Sequence, residues 1–391
     1  MLGLIKTLRE RTPLGLLQLK HDRLRLLTAI AGITFADVLI FMQLGFADAL
    51  YKTNTQYPRT LQADLVLIST QAKNFGQLRR FTRRRLFQAL DVPGVATAEG
   101  LYLGSVEWRN PQTQKKTSML LIGQNPDRPA FNLPEVNQQL DAIRLPDTIL
   151  FDQASRGEYD DLIIELEQGK IINTEIGQRT VTIAGLFKVG ASFADDGALI
   201  TSDQNFLRLV PKRDPGAVSL GLIRLQPNYQ PEEVQKALEG RLPDDVQVLT
   251  SEGYVDFELN YIQSNSPIGF VFGLGTAMGF IVGIVIVYQV LSTDVNSHLA
   301  EYATFKAMGY RNSYLLGIIF EEALILSVLG FIPGLGIAWG AYQLTAAATA
   351  LPLAMPVSRI IIVFILTLVM CNASGAIATR RLQAADPADI F

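Results

Sequence analysis

Four long apolar stretches, one before and three after a polar segment at residues 47–266, constrain this 391-residue chain more than any other feature. About 20 apolar residues at a 1.5 Å rise cross a hydrocarbon core of ~30 Å. The stretches at 26–46, 267–293, 323–343 and 360–378 reach or approach that length, the first with one charge, Asp37, and the second with none. In lipid every backbone polar group must be satisfied within the segment, so each stretch is expected to be a helix. The expected fold is an α-helical membrane domain of four transmembrane helices, one before and three after a large mixed α/β domain.

Charge sets the orientation. Residues 1–25 carry Lys6, Arg9, Arg11, Lys20, Arg23 and Arg25 against Glu10 and Asp22, and Arg380 with Arg381 follows the last apolar stretch. Positive flanks stay in the cytoplasm. Segments 1–25, 294–322 and 379–391 are therefore expected to be cytoplasmic, and 47–266 and the short loop 344–359 periplasmic. Lys306 and Arg311 against Asp294 and Glu301 give the middle segment no clear bias of its own. Ala47-Asp48-Ala49 imitates a signal-peptidase site, but the apolar stretch before it is too long for a signal peptide. It reads as an uncleaved anchor.

Within 47–266, strand-like runs at 65–68, 104–108, 118–122, 148–151, 180–187, 198–201, 220–225 and 246–250 alternate with helical candidates at 78–90 and 231–241. This is a mixed α/β pattern, long enough for two lobes. The net charge of −3 excludes the strongly basic character of a nucleic-acid binder. Two histidines and one cysteine, Cys371, leave no basis for a histidine metal site and none for an intrachain disulfide. There is no G-x-x-x-x-G-K-[ST] phosphate loop; the lone pair Gly169-Lys170 is followed by Ile171. No G-x-S-x-G or H-E-x-x-H motif is present either. A catalytic constellation is not legible.

Other residues invite a mechanical reading. Between the second and third apolar stretches, Val295, Leu299, Tyr302, Phe305 and Met308 recur at helical spacing and Gly309 closes the run, as a short amphipathic helix at a membrane face would. Gly275, Gly279 and Gly283 are spaced by four, as are Gly336 and Gly340. Such spacing lets helices approach closely, in a moving or dimerising pair, although glycine is also simply common in membrane helices. Pro333 is expected to kink the third span. Asp37, mid-span, costs roughly 2.5–3.5 kcal/mol on insertion scales if unpaired. It serves in coupling, bonds a polar group such as Gln289, or is a protonated or water-reached structural residue. Glu321 and Glu322, at the head of the third span, either stay at the interface or bond the preceding helix. The arginines at 79, 80, 83, 84 and 85 form either a solvated helix face or a contact for anionic lipid or an acidic partner.

The stretch EYATFKAMGYRNSYLLGIIFEEALILSVLGFIPGLGIAWG at 301–340, and the ending ATRRLQAADPADIF, resemble the FtsX/MacB superfamily of ABC-transporter permeases. Within it, EYATFKAMGY and the lack of a fused nucleotide-binding domain look most like DevC-type permeases of cyanobacterial DevBCA-type exporters. The resemblance implies a two-copy permease that is not itself an enzyme. It would work with a separate ABC ATPase holding the ATP and Mg, a periplasmic membrane-fusion adaptor and a TolC-like outer-membrane tunnel, in the inner membrane among lipids. This chain would bind no cofactor and no nucleic acid. Glu301, Tyr302, Phe305, Lys306, Met308 and Gly309 would form the coupling helix that docks on the ATPase. Cargo would be lipid-like, glycolipid in the DevC case. An FtsX-like regulator of a periplasmic enzyme and a lipoprotein-release permease are the competing readings.

Overall fold

A computed structural model describes residues 23–264, 267–299, 301, 304 and 308–384. The chain divides into two compact units: one of residues 1–48, 270–344 and 353–391, the other of 49–269 and 345–352.

The first unit is helical. It holds α1 (Arg23–Thr60, up to residue 48), α8 (Pro267–Ser297, from residue 270), α9 (Asn312–Thr349, up to residue 344) and α10 (Val357–Ala384), all long and apolar enough to cross a membrane. The helices begin or end several residues beyond the apolar stretches; in the extension of α1 the Thr53 hydroxyl and Asn54 amide donate to the carbonyls of Ala49 and Leu50, four residues back. Pro333 lies inside α9.

Packing depends on close approach. A Cβ on Gly283 would collide with Met370 Sδ and meet Ala36 Cβ at 3.0 Å; one on Gly279 would meet Ile40 Cγ1 at 3.2 Å; one on Gly275 would meet the Gln43 amide at 2.5 Å. These three glycines seat α8 on α1, with Gly283 also against α10. Gly336 and Gly340 seat no helix within the chain itself: nothing in it lies within 4 Å of where their Cβ atoms would be. The glycines that seat α9 on α1 are Gly330, opposite Ile33 Cβ at 2.6 Å, and Gly334, opposite Asp37 Cβ at 3.0 Å. The four-residue spacing was legible in the sequence, whereas the helix face that meets a neighbour depends on the packing angle.

The second unit is built on a nine-stranded sheet. Its strands are β1 (Leu65–Ser69), β3 (Val95–Arg109), β4 (Lys116–Gln124), β5 (Thr148–Asp152), β6 (Ile172–Ile176), β7 (Arg179–Phe187), β8 (Ala198–Ser202), β10 (Leu220–Leu225) and β11 (Val246–Thr250). Their order is β11-β1-β10-β3-β4-β8-β5-β7-β6. The 15-residue β3 joins two halves, pairing antiparallel with β10 through Val95–Leu101 and with β4 through Tyr102–Arg109. Strands β4 and β8 are parallel, as are β5 and β7. Alternation puts Leu65 and Leu67 on one face and Val66 and Ile68 on the other. The first face is covered by α2 (Arg84–Leu90), α6 (Pro231–Glu239) and the ring cluster of Trp108, Phe151 and Tyr159. The second is covered by the end of α1, where Tyr57 stacks on Phe75, and by α7 (Ser251–Ser264), where Tyr254 is buried. Short helices α3 (Pro134–Asn137), α4 (Asp160–Glu167) and α5 (Asp203–Leu209) complete the unit.

The helix expected over 78–90 forms only in its second half. Before it β2 (Phe81–Thr82) pairs with β9 (Ala217–Val218), and only Arg84–Leu90 is helical. Leu78 packs on one side of the sheet while Phe81 and Leu86 are buried on the other. The segment must cross from one face of the sheet to the other, which one straight helix cannot do. The missed α7 has weak sequence signal, since Glu252, Asp256 and Glu258 interrupt its apolar residues.

Candidate functional site

The segment 294–322 follows from how α8 ends. Asp294 and Val295 belong to the last turns of α8, which runs on to Ser297. Val295 is fully buried against Ile318 and Ile319 of α9, with Leu299 and Tyr314 partly buried around them. Part of the expected amphipathic stripe is therefore used inside the helical unit, and does not lie along a membrane face. Glu301 is exposed and helical; Met308 keeps 62% of its surface and ends the turn with its N–H bonded to Thr304 O at 3.0 Å. Gly309 then takes φ +89°, the left-handed conformation that suits glycine at a helix end. Tyr302, Phe305 and Lys306 lie outside the described residues. The described part of the segment thus offers a carboxylate and an exposed thioether to a partner, while its base is fixed by buried contacts.

That base is polar as well as apolar. Arg25 Nη1 of α1 lies 3.1 Å from Asp294 Oδ1, and Arg25 Nη2 donates to Ser297 Oγ at 3.3 Å. His298 Nδ1 is 3.7 Å from Asp294 Oδ1. Of the two expectations for Glu322, the interface is excluded: it is fully buried, on the side of α9 that faces α8. It faces into the helix packing because Ile318 and Ile319, on the same side of α9, are drawn onto Val295. These contacts tie the ends of α1, α8 and α9 together.

Four further polar posts hold the helices along their length. Asp37 is fully buried and accepts a hydrogen bond from Thr367 Oγ1 of α10 at 2.7 Å; the partner is not Gln289. Thr34 Oγ1 donates to Gly330 O at 3.1 Å, and Ser374 Oγ to Ile284 O at 2.9 Å. Farther along α1, Arg359 is 7% exposed and lies 2.7 Å from Asp48 Oδ2. Its Nη1 donates to Ala354 O at 2.7 Å and to Tyr342 Oη at 3.3 Å, and Tyr342 Oη donates to Phe41 O. Sequence reasoning missed Arg359. The available signal was a lone arginine at the head of one apolar stretch and a lone aspartate just past the end of another.

In the mixed unit Asp152 pins a loop, accepting the N–H groups of Ala154, Val189 and Gly190 at 3.0, 3.1 and 2.7 Å. Glu258 is fully buried with no hydrogen-bond partner on either oxygen. Burial pushes its pKa up to about 7, moderated by the nearby Phe75 N–H and Tyr254 hydroxyl. No group of three or more metal-ligating side chains occurs among the described residues.

Residues 269–387 match the FtsX-like permease C-terminal family. The FtsX-like segment takes in the turn at Glu301–Gly309, Glu322, Gly330 and Arg359. No curated protein matches the sequence. Among solved structures, the periplasmic region of MacB from Actinobacillus actinomycetemcomitans is similar at 9% identity and TM-score 0.35, covering 49% of this chain and 91% of that one. The extracellular domain of the noncanonic ABC-type transporter YknZ from Gram-positive bacteria is similar at 15% identity and TM-score 0.30, covering 48% and 99%. A domain of a putative permease from Porphyromonas gingivalis is similar at 13% identity and TM-score 0.31, covering 49% and 89%.

Proposed function

We propose that this chain is the membrane-spanning subunit of an ABC exporter, in which a separate ATPase docks on the turn around Glu301–Gly309. The match of residues 269–387 to the FtsX-like permease family carries the reading. It is supported by an exposed Glu301 and Met308 on a turn whose base, through Val295, Ile318 and Ile319, is locked into α8 and α9. A push on that turn displaces the ends of both helices, because close-packed interiors transmit displacement rather than absorb it. Through Arg25 and Asp294 the same push reaches α1. At 38 residues, α1 is about 57 Å long, well beyond the ~30 Å of a hydrocarbon core. Motion of the ATPase would then work the mixed α/β unit mechanically, with no path for cargo between the helices. The full assembly in this reading has two copies of the chain, a periplasmic adaptor and an outer-membrane tunnel, and exports a lipid-like cargo such as the glycolipid of DevC-type systems.

The test is co-purification of an ABC ATPase with the tagged full chain from its native membrane. Wild type should retain the ATPase; Glu301→Lys with Met308→Asp should lose it while inserting normally into the membrane. Retention by the double variant would remove the docking assignment, and absence of any ATPase from the wild-type preparation would remove the reading itself.

A further inference from the structure

The mixed unit carries a basic surface that the export reading leaves unused. After β1 the chain turns at Ser69, passes through a short helical turn at Phe75–Gln77, and presents Arg79, Arg80, Arg83 and Arg84 on the exterior. Arg85 is paired with Asp245 at 2.9 Å. Arg83 interacts with the Tyr102 hydroxyl and with Asp203. Arg79, Arg80 and Arg84 have no carboxylate within ion-pair distance among the described residues. Their charge is felt inside the unit. Burial first, and Arg80 next, push Arg213 down to about 10, against the opposing pull of Tyr102 and Asp214. Beside the arginines, on the same helical stripe as Arg84, Phe87 keeps 61% and Leu90 43% of its surface exposed.

The place of this patch in the unit is set by α7. Ser251 Oγ donates to Ala63 O, so α7 starts beside the beginning of β1, and it runs back toward the end of β1. There Ser264 shares an open groove of about 530 Å³ with Ala72, Lys73, Phe257 and Tyr261. Pro267, the first residue of an apolar helix long enough to span a membrane, is three residues on, at most about 11 Å of extended chain. The basic segment therefore lies at the end of the unit where α7 finishes, a few residues of chain before the next apolar helix. Asp244 and Asp245 mark its acidic edge, the latter already engaged by Arg85.

We propose that this end, comprising Lys73, Arg79, Arg80 and Arg84 with the aromatic groove of Phe257 and Tyr261, is a docking surface for the anionic headgroups of the surrounding bilayer. Guanidinium groups match phosphate geometry with paired donors, and basic side chains beside a membrane concentrate anionic lipid. The groove, with Lys73 at its rim, gives a lipid headgroup an aromatic wall, and the arginines around the same end give neighbouring phosphates their counter-charge. Binding there holds one end of the mixed unit to the bilayer without any protein partner.

The full chain, in a Cys371→Ser background with Gln77→Cys carrying a bimane fluorophore, would be placed in nanodiscs of phosphatidylcholine or of phosphatidylcholine with phosphatidylglycerol, each containing a headgroup-attached nitroxide quencher. Quenching is expected to be at least about twofold stronger with the anionic lipid, and to weaken as salt screens the contact. Arg79→Gln, Arg80→Gln, Arg84→Gln together should abolish the difference, and the corresponding lysine variant should keep most of it. Equal quenching in both lipids, or a difference untouched by the glutamine variant, would overturn the proposal. A label that escapes quenching in both lipids but is shielded by an added acidic protein would overturn it in favour of a protein partner.

Discussion

Arg359 Nη2 at the head of α10 lies 2.7 Å from Asp48 Oδ2 on α1, and the same guanidinium reaches Ala354 O and Tyr342 Oη. One side chain thus joins α1, α9, α10 and the turn before α10. Its stem and head are largely desolvated, so the charge depends on these partners. Replacing Arg359 by Gln, or Asp48 by Asn, is expected to lower stability by about 2–3 kcal/mol. That is less than the loss for a fully buried pair, because Asp48 keeps 31% of its side chain exposed. Thermal unfolding of the full chain in detergent checks it. The double variant should cost less than the sum of the single ones, since each single change leaves the other group with a lost partner.

Gly330 and Gly336 are a matched pair on α9. A methyl group at Gly330 would meet Ile33 Cγ2 at 2.5 Å and Cβ at 2.6 Å, and the second of these atoms is fixed by the backbone of α1. Gly330→Ala is expected to cost about 1–3 kcal/mol through forced helix displacement. Gly336→Ala meets open space and should change stability by no more than about 0.5 kcal/mol. The measurement is the difference between the two unfolding midpoints in one detergent; equal midpoints would mean that α9 does not pack on α1 through Gly330.

Glu258 makes the mixed unit sensitive to pH. Its pKa in the folded chain is pushed up to about 7, above the ordinary value of 4.5, chiefly by burial. The folded state therefore holds this proton over a range in which the unfolded state has released it. Stability is highest near pH 4.5 as far as this group is concerned, falls as pH rises toward 7, and above 7 carries the whole penalty, roughly 3 kcal/mol. Glu258→Gln should flatten the profile between pH 5 and 7.5 and raise stability at the upper end. A variant that keeps the wild-type slope would show that another group titrates. The groups facing Glu258 are the Tyr254 hydroxyl and the Phe75 N–H, neither of which ionises in that range.

The architecture was legible because its signals are local. Stretch length specified the four helices, and β-branched alternation specified most strands of the sheet, Leu65–Ser69 and Val246–Thr250 among them. Signals that depend on tertiary geometry were not. Leu78, Phe81 and Leu86 have helical spacing, yet they pack on two faces of one sheet, so the segment bends between them. Gly336 and Gly330 are equivalent in sequence, and only packing separates them. Glu322 reads as an interfacial acid beside Glu321 until α9 is rotated by the contact of Ile318 and Ile319 with Val295. In the coupling segment the helical stripe was visible, but its division between buried Val295 and exposed Met308 required the neighbouring helix.

The docking of a separate ATPase on the 301–309 turn is tested most directly by proximity. In a Cys371→Ser background, Glu301→Cys would be reacted with a short bifunctional reagent in native membranes, with Ser118→Cys, on the mixed unit, as the comparison position. The account expects a cross-link to an ABC ATPase from position 301, altered by ATP, and none from position 118. A cross-link to the ATPase from 118, or none from 301 while the ATPase co-purifies, would contradict it.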